Sequence, residues 1–308
     1  MLKRTLNPGF IKRLFHTGTP RDMRFVQFKE GDRQGVGVEL SNGGNIVDLS
    51  AGNSSIPNNM RDFLAAGQNA IVAAKSVVES GKNVLSRDKV KLLAPITNPD
   101  KVICIGMNYA DHCHEQNAPI PVEPVIFNKF PSTIISPGDD LQYPSETEAL
   151  DWEVEMVIVI GKAGKNIQKA DAMNHVVGYT VAHDVSARDW QKTRGQGQWL
   201  IGKSMDCFCP LGPAIVMKED ISDPHNLGLR TRVNGVTKQD SCTSQLIHKT
   251  ADLIAYCSRF FTLLPGDIML SGTPPGVGMF RNPPEYLQKG DVVEVEIDEI
   301  GTISNKVV

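Results

Sequence analysis

The sequence predicts an α+β fold built on a mixed or antiparallel sheet. From Lys101 onward, β-prone runs recur at Val102–Ile105, Val125–Asn128, Glu153–Ile160, Val176–His183, Ala214–Met217, Leu229–Val233, Asp267–Leu270 and Val292–Ile297. Between them only Lys169–His175 and Thr250–Phe261 read as helices, too few to supply the crossovers of a doubly wound parallel sheet. Upstream, Arg24–Phe28, Gly35–Leu40 and Asn45–Leu49 alternate with Gly, Asn and Asp turns and predict a small antiparallel meander.

The chain starts with Leu2, Leu6, Phe10, Ile11, Leu14 and Phe15 at helix-like spacings, interleaved with Lys3, Arg4, Lys12, Arg13 and Arg21 and with no acid before Asp22. A basic, acid-free, amphipathic leader reads as a mitochondrial transit peptide over residues 1–21, with an ordinary basic tail as the alternative. After the meander, Met60–Leu64 and Asn69–Ser80 read as helices, the second with Ile71, Val72 and Val78 at helical intervals. Leu92–Pro99 carries two prolines and marks a boundary. At 308 residues the chain is twice the ~150 residues of a typical domain. The expected division is a small N-terminal domain over 22–98 and a larger one over 99–308.

Composition narrows the function classes. With 41% hydrophobic and 22% charged residues, the chain has an ordinary globular balance, which excludes whole-chain disorder, collagen and coiled coil. The longest mostly apolar stretch, Met156–Ile160, falls far short of the ~20 residues that span a bilayer, so no membrane helix is expected. Beyond residue 21 there are 27 basic against 35 acidic residues. An acidic body argues against nucleic-acid binding, since nothing would neutralise phosphates broadly. Cys104, Cys113, Cys207, Cys209, Cys242 and Cys257 are too few for a disulfide framework in a chain this long, and the Cys207/Cys209 pair lacks a second pair at zinc spacing. Six reduced thiols, mostly buried, are expected.

The stretch Asp151-Trp-Glu-Val-Glu-Met-Val-Ile-Val-Ile-Gly161 carries the most chemistry. As a strand it puts Asp151, Glu153 and Glu155 on one face and Trp152, Val154, Met156, Ile158 and Ile160 on the other. Carboxylates crowded near a core stay ionised only if a cation compensates them, and Mg²⁺ or Mn²⁺ prefers oxygen ligands. The bland alternative is a solvated strand edge. A second strand ends at Asp184 before the polar loop that contains Gln191. Glu153, Glu155 and Asp184 would fill three positions of an octahedral ion and leave three for a 2-oxo acid and water, an arrangement suited to polarising a carbonyl.

Lys203 could place positive charge beside a developing enolate, although a surface lysine is the commoner fate of the residue type. In Asn108-Tyr-Ala-Asp-His-Cys-His-Glu115, a helix would bring His112 and Glu115 one turn apart as an acid–base pair. A strand there would instead pair His112 with His114 as metal ligands. Leu270-Ser-Gly-Thr-Pro-Pro-Gly-Val-Gly278 offers glycine amides to an anion and the hydroxyl of Thr273. Gly197–Ser204 satisfies G-x-x-x-x-G-K-[ST], but no strand precedes it, Pro210 and Gly212 leave no room for the helix, and Trp199, Leu200 and Ile201 are bulky. Nucleotide binding is not expected.

Taken in order, NYADHCHE (108–115), DWEVEMVIVIGK (151–162), GYTVAHDVSARDWQ (178–191), GKSMDCFCPLGP (202–213) and PGDIMLSGTPPGVG (265–278) resemble the fumarylacetoacetate hydrolase superfamily over 101–308. The wording is most similar to its mitochondrial domain-containing protein 2 branch. The resemblance implies a β-rich, mixed-sheet roll, a homodimer, and Glu153, Glu155 and Asp184 as Mg²⁺ or Mn²⁺ ligands. It implies Lys203 as the active-site lysine, His112 with Glu115 as the lid dyad, and Lys129, Gln191 and Thr273 as substrate contacts. The namesake enzyme's fourth acidic ligand has no clear counterpart, Asp111 being the nearby candidate. The branch implies an enol-to-keto oxaloacetate tautomerase in the mitochondrial matrix, acting on a small 2-oxo acid held as its enolate. Oxaloacetate decarboxylation and acylpyruvate hydrolysis share that enolate and remain the alternatives, with a non-catalytic metal-binding scaffold outside them.

Overall fold

The computed structural model describes residues 23–308; the leader expected over 1–21 lies outside the described residues. Twelve strands form one mixed sheet. Its central strands lie in the spatial order Arg24–Glu30, Cys209–Met217, Val176–His183, Val154–Ile160, Ile268–Leu270, Val102–Gly106 and Val125–Lys129. Neighbours run antiparallel except Ile268–Leu270 beside Val102–Gly106, and the short Ile134–Ile135 beside Cys209–Met217. The α+β class expected from the strand-rich pattern is the observed one.

Val154–Ile160 is wholly buried because it has a core on each side. Val154, Met156, Ile158 and Ile160 pack with Leu229, Val295, Ile297 and Ile303 of a second, four-stranded antiparallel sheet. Val157 and Val159 pack on the opposite face with Leu211, Ile215 and Leu270. Each such side chain contributes roughly 1.5–3 kcal/mol on burial, which offsets the cost of the carboxylates at the same strand's start.

The meander forms as expected over Arg24–Glu30, Arg33–Glu39 and Ile46–Asp48. Its first strand joins the main sheet through the pairs Arg24↔Val216 and Phe25↔Ile215. Phe25, Leu49 and Phe63 share a core with Val157, Ile215 and Leu270, and Ala94 and Ile96 of the proline-bearing segment pack there too.

The helices differ in detail from expectation. Gln68–Glu79 buries Ala70, Ile71, Ala74 and Val77, whereas Val72 is exposed. The stripe runs through small alanines, which the larger valines obscured. Lys169–His175 is a 3₁₀ helix; only Ala172 of it is buried, too little apolar surface to hold an α-helical stripe. Thr250–Cys257 stops before Phe261, at the C-cap Ser258. All six cysteines are free thiols, four of them buried. Among the described residues no helix is long and apolar enough to cross a membrane.

Candidate active site

The carboxylates come together through strand register. Val154 pairs with His183, so the residues flanking that pair, Glu153 and Asp184, are neighbours, and the Asp184 N–H donates to the Glu153 carbonyl at 2.9 Å. Alternation along Val154–Ile160 returns Glu155 to the side of Glu153. One carboxylate oxygen from each of Glu153, Glu155 and Asp184 lies within 4.8 Å of the others, and all three residues are buried. Asp151 takes no part in this triad. Leu150–Asp151 pairs with Ser186–Ala187 in a separate two-stranded ribbon, and the Asp151 carboxylate accepts from Arg188 Nε at 2.7 Å and from the N–H groups of Gly278 at 2.7 Å and Met279 at 3.1 Å.

Three buried cations surround the triad. Lys203 Nζ sits 2.7 Å from Glu153 Oε2 and 2.8 Å from Asp184 Oδ2. Lys129 Nζ lies 2.7 Å from Asp184 Oδ1 and also donates to the carbonyls of Val185, Phe208 and Lys203. Arg188 reaches Glu153 Oε1 through Nη2 at 2.7 Å and Gln191 Oε1 through Nη1 at 2.9 Å. Burial opposes the charged form of Glu153, but Lys203 and Arg188 outweigh it and hold its carboxyl well below the usual range. Burial works against the Lys203 ammonium as well; Asp184 and Glu153 outweigh it and raise its pKa.

Glu155 is pushed the other way. Burial, then the charges of Asp184 and Glu153, raise its pKa well above the ordinary value, with Lys203 and the Gly272 N–H opposing. That N–H donates to Glu155 Oε2 at 2.7 Å. The donor set fits a hard divalent cation: three carboxylates, no thiolate and no imidazole. A cation among them would also relieve the strain on Glu155, the one member of the triad without an ion-pair partner among the described residues.

The dyad forms on a helix. Ala110–Glu115 is α-helical, and His112 Nδ1 meets Glu115 Oε2 at 2.7 Å. Gly276 N–H donates to Glu115 Oε1 at 2.8 Å, so the glycine loop fixes the acid that orients the imidazole. Nδ1 being committed, the other ring nitrogen is left for proton transfer. The helical geometry overturns the alternative in which His112 and His114 share a metal: His114 is exposed and His112 buried. Asp111 accepts from Ser241 Oγ at 2.6 Å and from the His112 N–H at 3.0 Å, and it does not join the triad.

Glu153, Glu155, Lys203, His112, Gln191, Arg188 and Thr273 line one narrow cleft, walled by Phe127, Trp199 and Phe280. Lys129 does not line it; its ammonium is spent behind Asp184. Gln191 stands in the turn Trp190–Arg194. The Thr273 hydroxyl donates to the Val154 carbonyl at 3.0 Å and accepts from Gln239 Nε2 at 2.8 Å. The glycine amides of 270–278 meet Glu155, Glu115 and Asp151. Lys203 ends the four-residue helix Leu200–Lys203 and points at carboxylates. Sequence reasoning missed Arg188. The only available signal was its position four residues after Asp184 in the same polar loop.

A strand-rich sheet that brings Glu153, Glu155, Lys203 and His112 to one cleft, with Asp184 beside the first two and Glu115 behind the imidazole, defines a polar enzyme site suited to a divalent cation. The comparisons agree: residues 101–308 match the fumarylacetoacetate (FAA) hydrolase C-terminal family. The chain belongs to that family. It is 59% identical over 288 residues to a Xenopus laevis protein named oxaloacetate tautomerase fahd2, mitochondrial, covering 93% of this chain and 90% of that one. To the Homo sapiens protein named oxaloacetate tautomerase FAHD2A, mitochondrial, it is 53% identical, covering 94% and 92%. Among solved structures, a fumarylacetoacetate hydrolase from psychrophilic Exiguobacterium antarcticum superposes with a TM-score of 0.80 at 36% identity, covering 92% of this chain and 99% of that one.

Proposed function

We propose that this chain is a mitochondrial, Mg²⁺- or Mn²⁺-dependent oxaloacetate tautomerase that returns the enol form to the keto form. The observation that carries the reading is the convergence of Glu153, Glu155, Lys203 and His112 on one cleft, with Asp184 completing the carboxylate triad and Glu115 holding the imidazole. The names of the most similar relatives favour oxaloacetate as substrate and the mitochondrion as location. Glu153, Glu155 and Asp184 would hold the metal, which when bound supplies Lewis-acid polarisation of the 2-oxo group.

The chain's own groups do the rest. Lys203, kept protonated by Asp184 and Glu153, places a fixed positive charge beside the oxygen that turns anionic as the enol loses its proton. His112, oriented by Glu115, takes the enol O–H proton on its free ring nitrogen and returns it to the neighbouring carbon, so one proton moves from oxygen to carbon with no net change. Gln191 accepts from Arg188 through its oxygen, which leaves its amide N–H groups to donate to substrate. Lys129 is assigned as a positioning residue for Asp184. With its hydroxyl engaged on both sides, Thr273 shapes the wall. Every residue in these roles falls within 99–308, the proposed catalytic unit, with 22–98 as its smaller companion. A homodimer is part of the reading, supported by the exposed Ile120, Val122, Val125, Phe130 and Ile201 near the sheet's outermost strand.

The test feeds enol-oxaloacetate to the Mg²⁺-loaded protein and follows enol absorbance and pyruvate together, with Glu153→Ala as control. Fast enol loss without pyruvate is expected. Pyruvate rising in step would make the chain a decarboxylase. Rates equal to the control would sink the oxaloacetate reading and leave acylpyruvates as the next substrates.

A further inference from the structure

We propose that Lys192 is the specificity-determining residue that receives the second carboxylate of a dicarboxylic substrate. The cleft is lined by three cations, and two are already taken: Lys203 by Glu153 and Asp184, Arg188 by Asp151 and Glu153. Lys192 lines the same cleft and, among the described residues, has no carboxylate within ion-pair distance. Its ammonium stands 5.3 Å from the centre of the Trp199 ring. That ring is itself fixed, packed edge-on against Phe127 at 5.3 Å and against Gly106, where an added Cβ would lie 2.5 Å from it. A cation held over an aromatic face at a cleft wall, with no anion of its own, is a ready receptor for a carboxylate.

The surrounding charge agrees with that role. Lys192 is an exposed side chain, yet desolvation by the packed wall, then Arg188 and Lys203, disfavour its ammonium, with only Glu153 in its favour. A substrate carboxylate would relieve that imbalance. The geometry divides the labour: the 2-oxo acid end faces the triad and Lys203, and the far carboxylate faces Lys192. This inference deepens the tautomerase reading and rests on its assignment of the triad as the 2-oxo acid end.

The test compares oxaloacetate with pyruvate, which has the same 2-oxo acid and no second carboxylate. Binding of each to the full-length Mg²⁺-loaded protein is measured by calorimetry, alongside enol turnover, for wild type, Lys192→Met and Lys192→Arg. Loss of one charge-assisted contact corresponds to about 10- to 100-fold in oxaloacetate Kd and KM for Lys192→Met, with kcat within about threefold. Pyruvate affinity should stay within about twofold and Lys192→Arg should recover most of the loss. Equal loss for both acids, no loss for either, or a wild type that binds oxaloacetate no better than pyruvate would overturn the inference. If the wild type discriminates and the Met variant does not, yet no enol is consumed, the tautomerase reading fails while the role of Lys192 stands.

Discussion

Glu155→Gln separates two opposed consequences of one buried carboxylate. The triad's ligand atoms lie within 4.8 Å of one another, and two unit charges at such a separation repel by about 3 kcal/mol at an effective dielectric constant of about 20. Lys203 answers Glu153 and Asp184 at 2.7 and 2.8 Å, but Glu155 has only the Gly272 N–H. A glutamine keeps the shape and still accepts that hydrogen bond. In chelator near neutral pH, the variant should therefore be more stable than wild type by about 1–3 kcal/mol, after discounting for partial compensation by Lys203. For a chain of this size that raises Tm by about 2–6 °C. With Mg²⁺ the order reverses. Wild type gains about 4.1 kcal/mol at a thousandfold excess over Kd, whereas the variant has lost a ligand and gains little. Thermal melts by circular dichroism, in chelator and in Mg²⁺, read both limbs. A variant that melts below wild type in chelator would show that Glu155 is not under net repulsion, and one that keeps the full Mg²⁺ shift would show that it is not a ligand.

The pH dependence follows from the same group. Since the folded-state pKa of Glu155 is raised by burial and by Asp184 and Glu153, its contribution is complete below the ordinary carboxylate value and is lost as pH rises through the folded value. Urea midpoints of the chelated protein should show that declining limb, and Glu155→Gln should flatten it; identical profiles would contradict the assignment. Mg²⁺ binding in the same pH range should release a proton, seen as a buffer-dependent calorimetric enthalpy. Lys203→Met removes the cation that Glu153 and Asp184 share, leaving them only Arg188 and Lys129, and should cost about 3 kcal/mol in chemical denaturation as well as activity; an active variant of unchanged stability would remove Lys203 from its place. His112→Gln should lower kcat by about 10²- to 10⁴-fold with Tm and Mg²⁺ affinity unchanged, and near-normal kcat would reassign proton transfer.

How far the sequence could be read depended on the range of the contacts involved. Alternation along Asp151–Ile160 is a local property, so Glu153 and Glu155 could be paired and Trp152, Val154, Met156, Ile158 and Ile160 sent to the other core, where they lie. The His112–Glu115 contact spans one helical turn and was legible for the same reason. Arg188 was not, because its burial is made by Asp151 and Glu153, more than thirty residues upstream, and an arginine in a polar loop otherwise reads as solvated. Nor was the setting of Lys129, whose ammonium is enclosed by carbonyls of Val185, Lys203 and Phe208; backbone acceptors leave no trace in residue type. Asp151 reads as the third carboxylate on the strand face with Glu153 and Glu155, but its pairing with Ser186–Ala187 and the amides of Gly278 and Met279 take it elsewhere. The union of the meander with the main sheet rests on Arg24↔Val216, a contact across most of the chain.

Metal dependence of enol–keto conversion stands or falls with the carboxylate triad. The most direct measurement is the rate of enol-oxaloacetate loss by chelated protein as Mg²⁺ is titrated back, for wild type and Glu155→Gln side by side. Wild type should show a saturable rise from a rate close to buffer alone, and the variant a flat line. A chelated wild type that already runs at its full rate, or a variant that titrates like wild type, would contradict the triad's role.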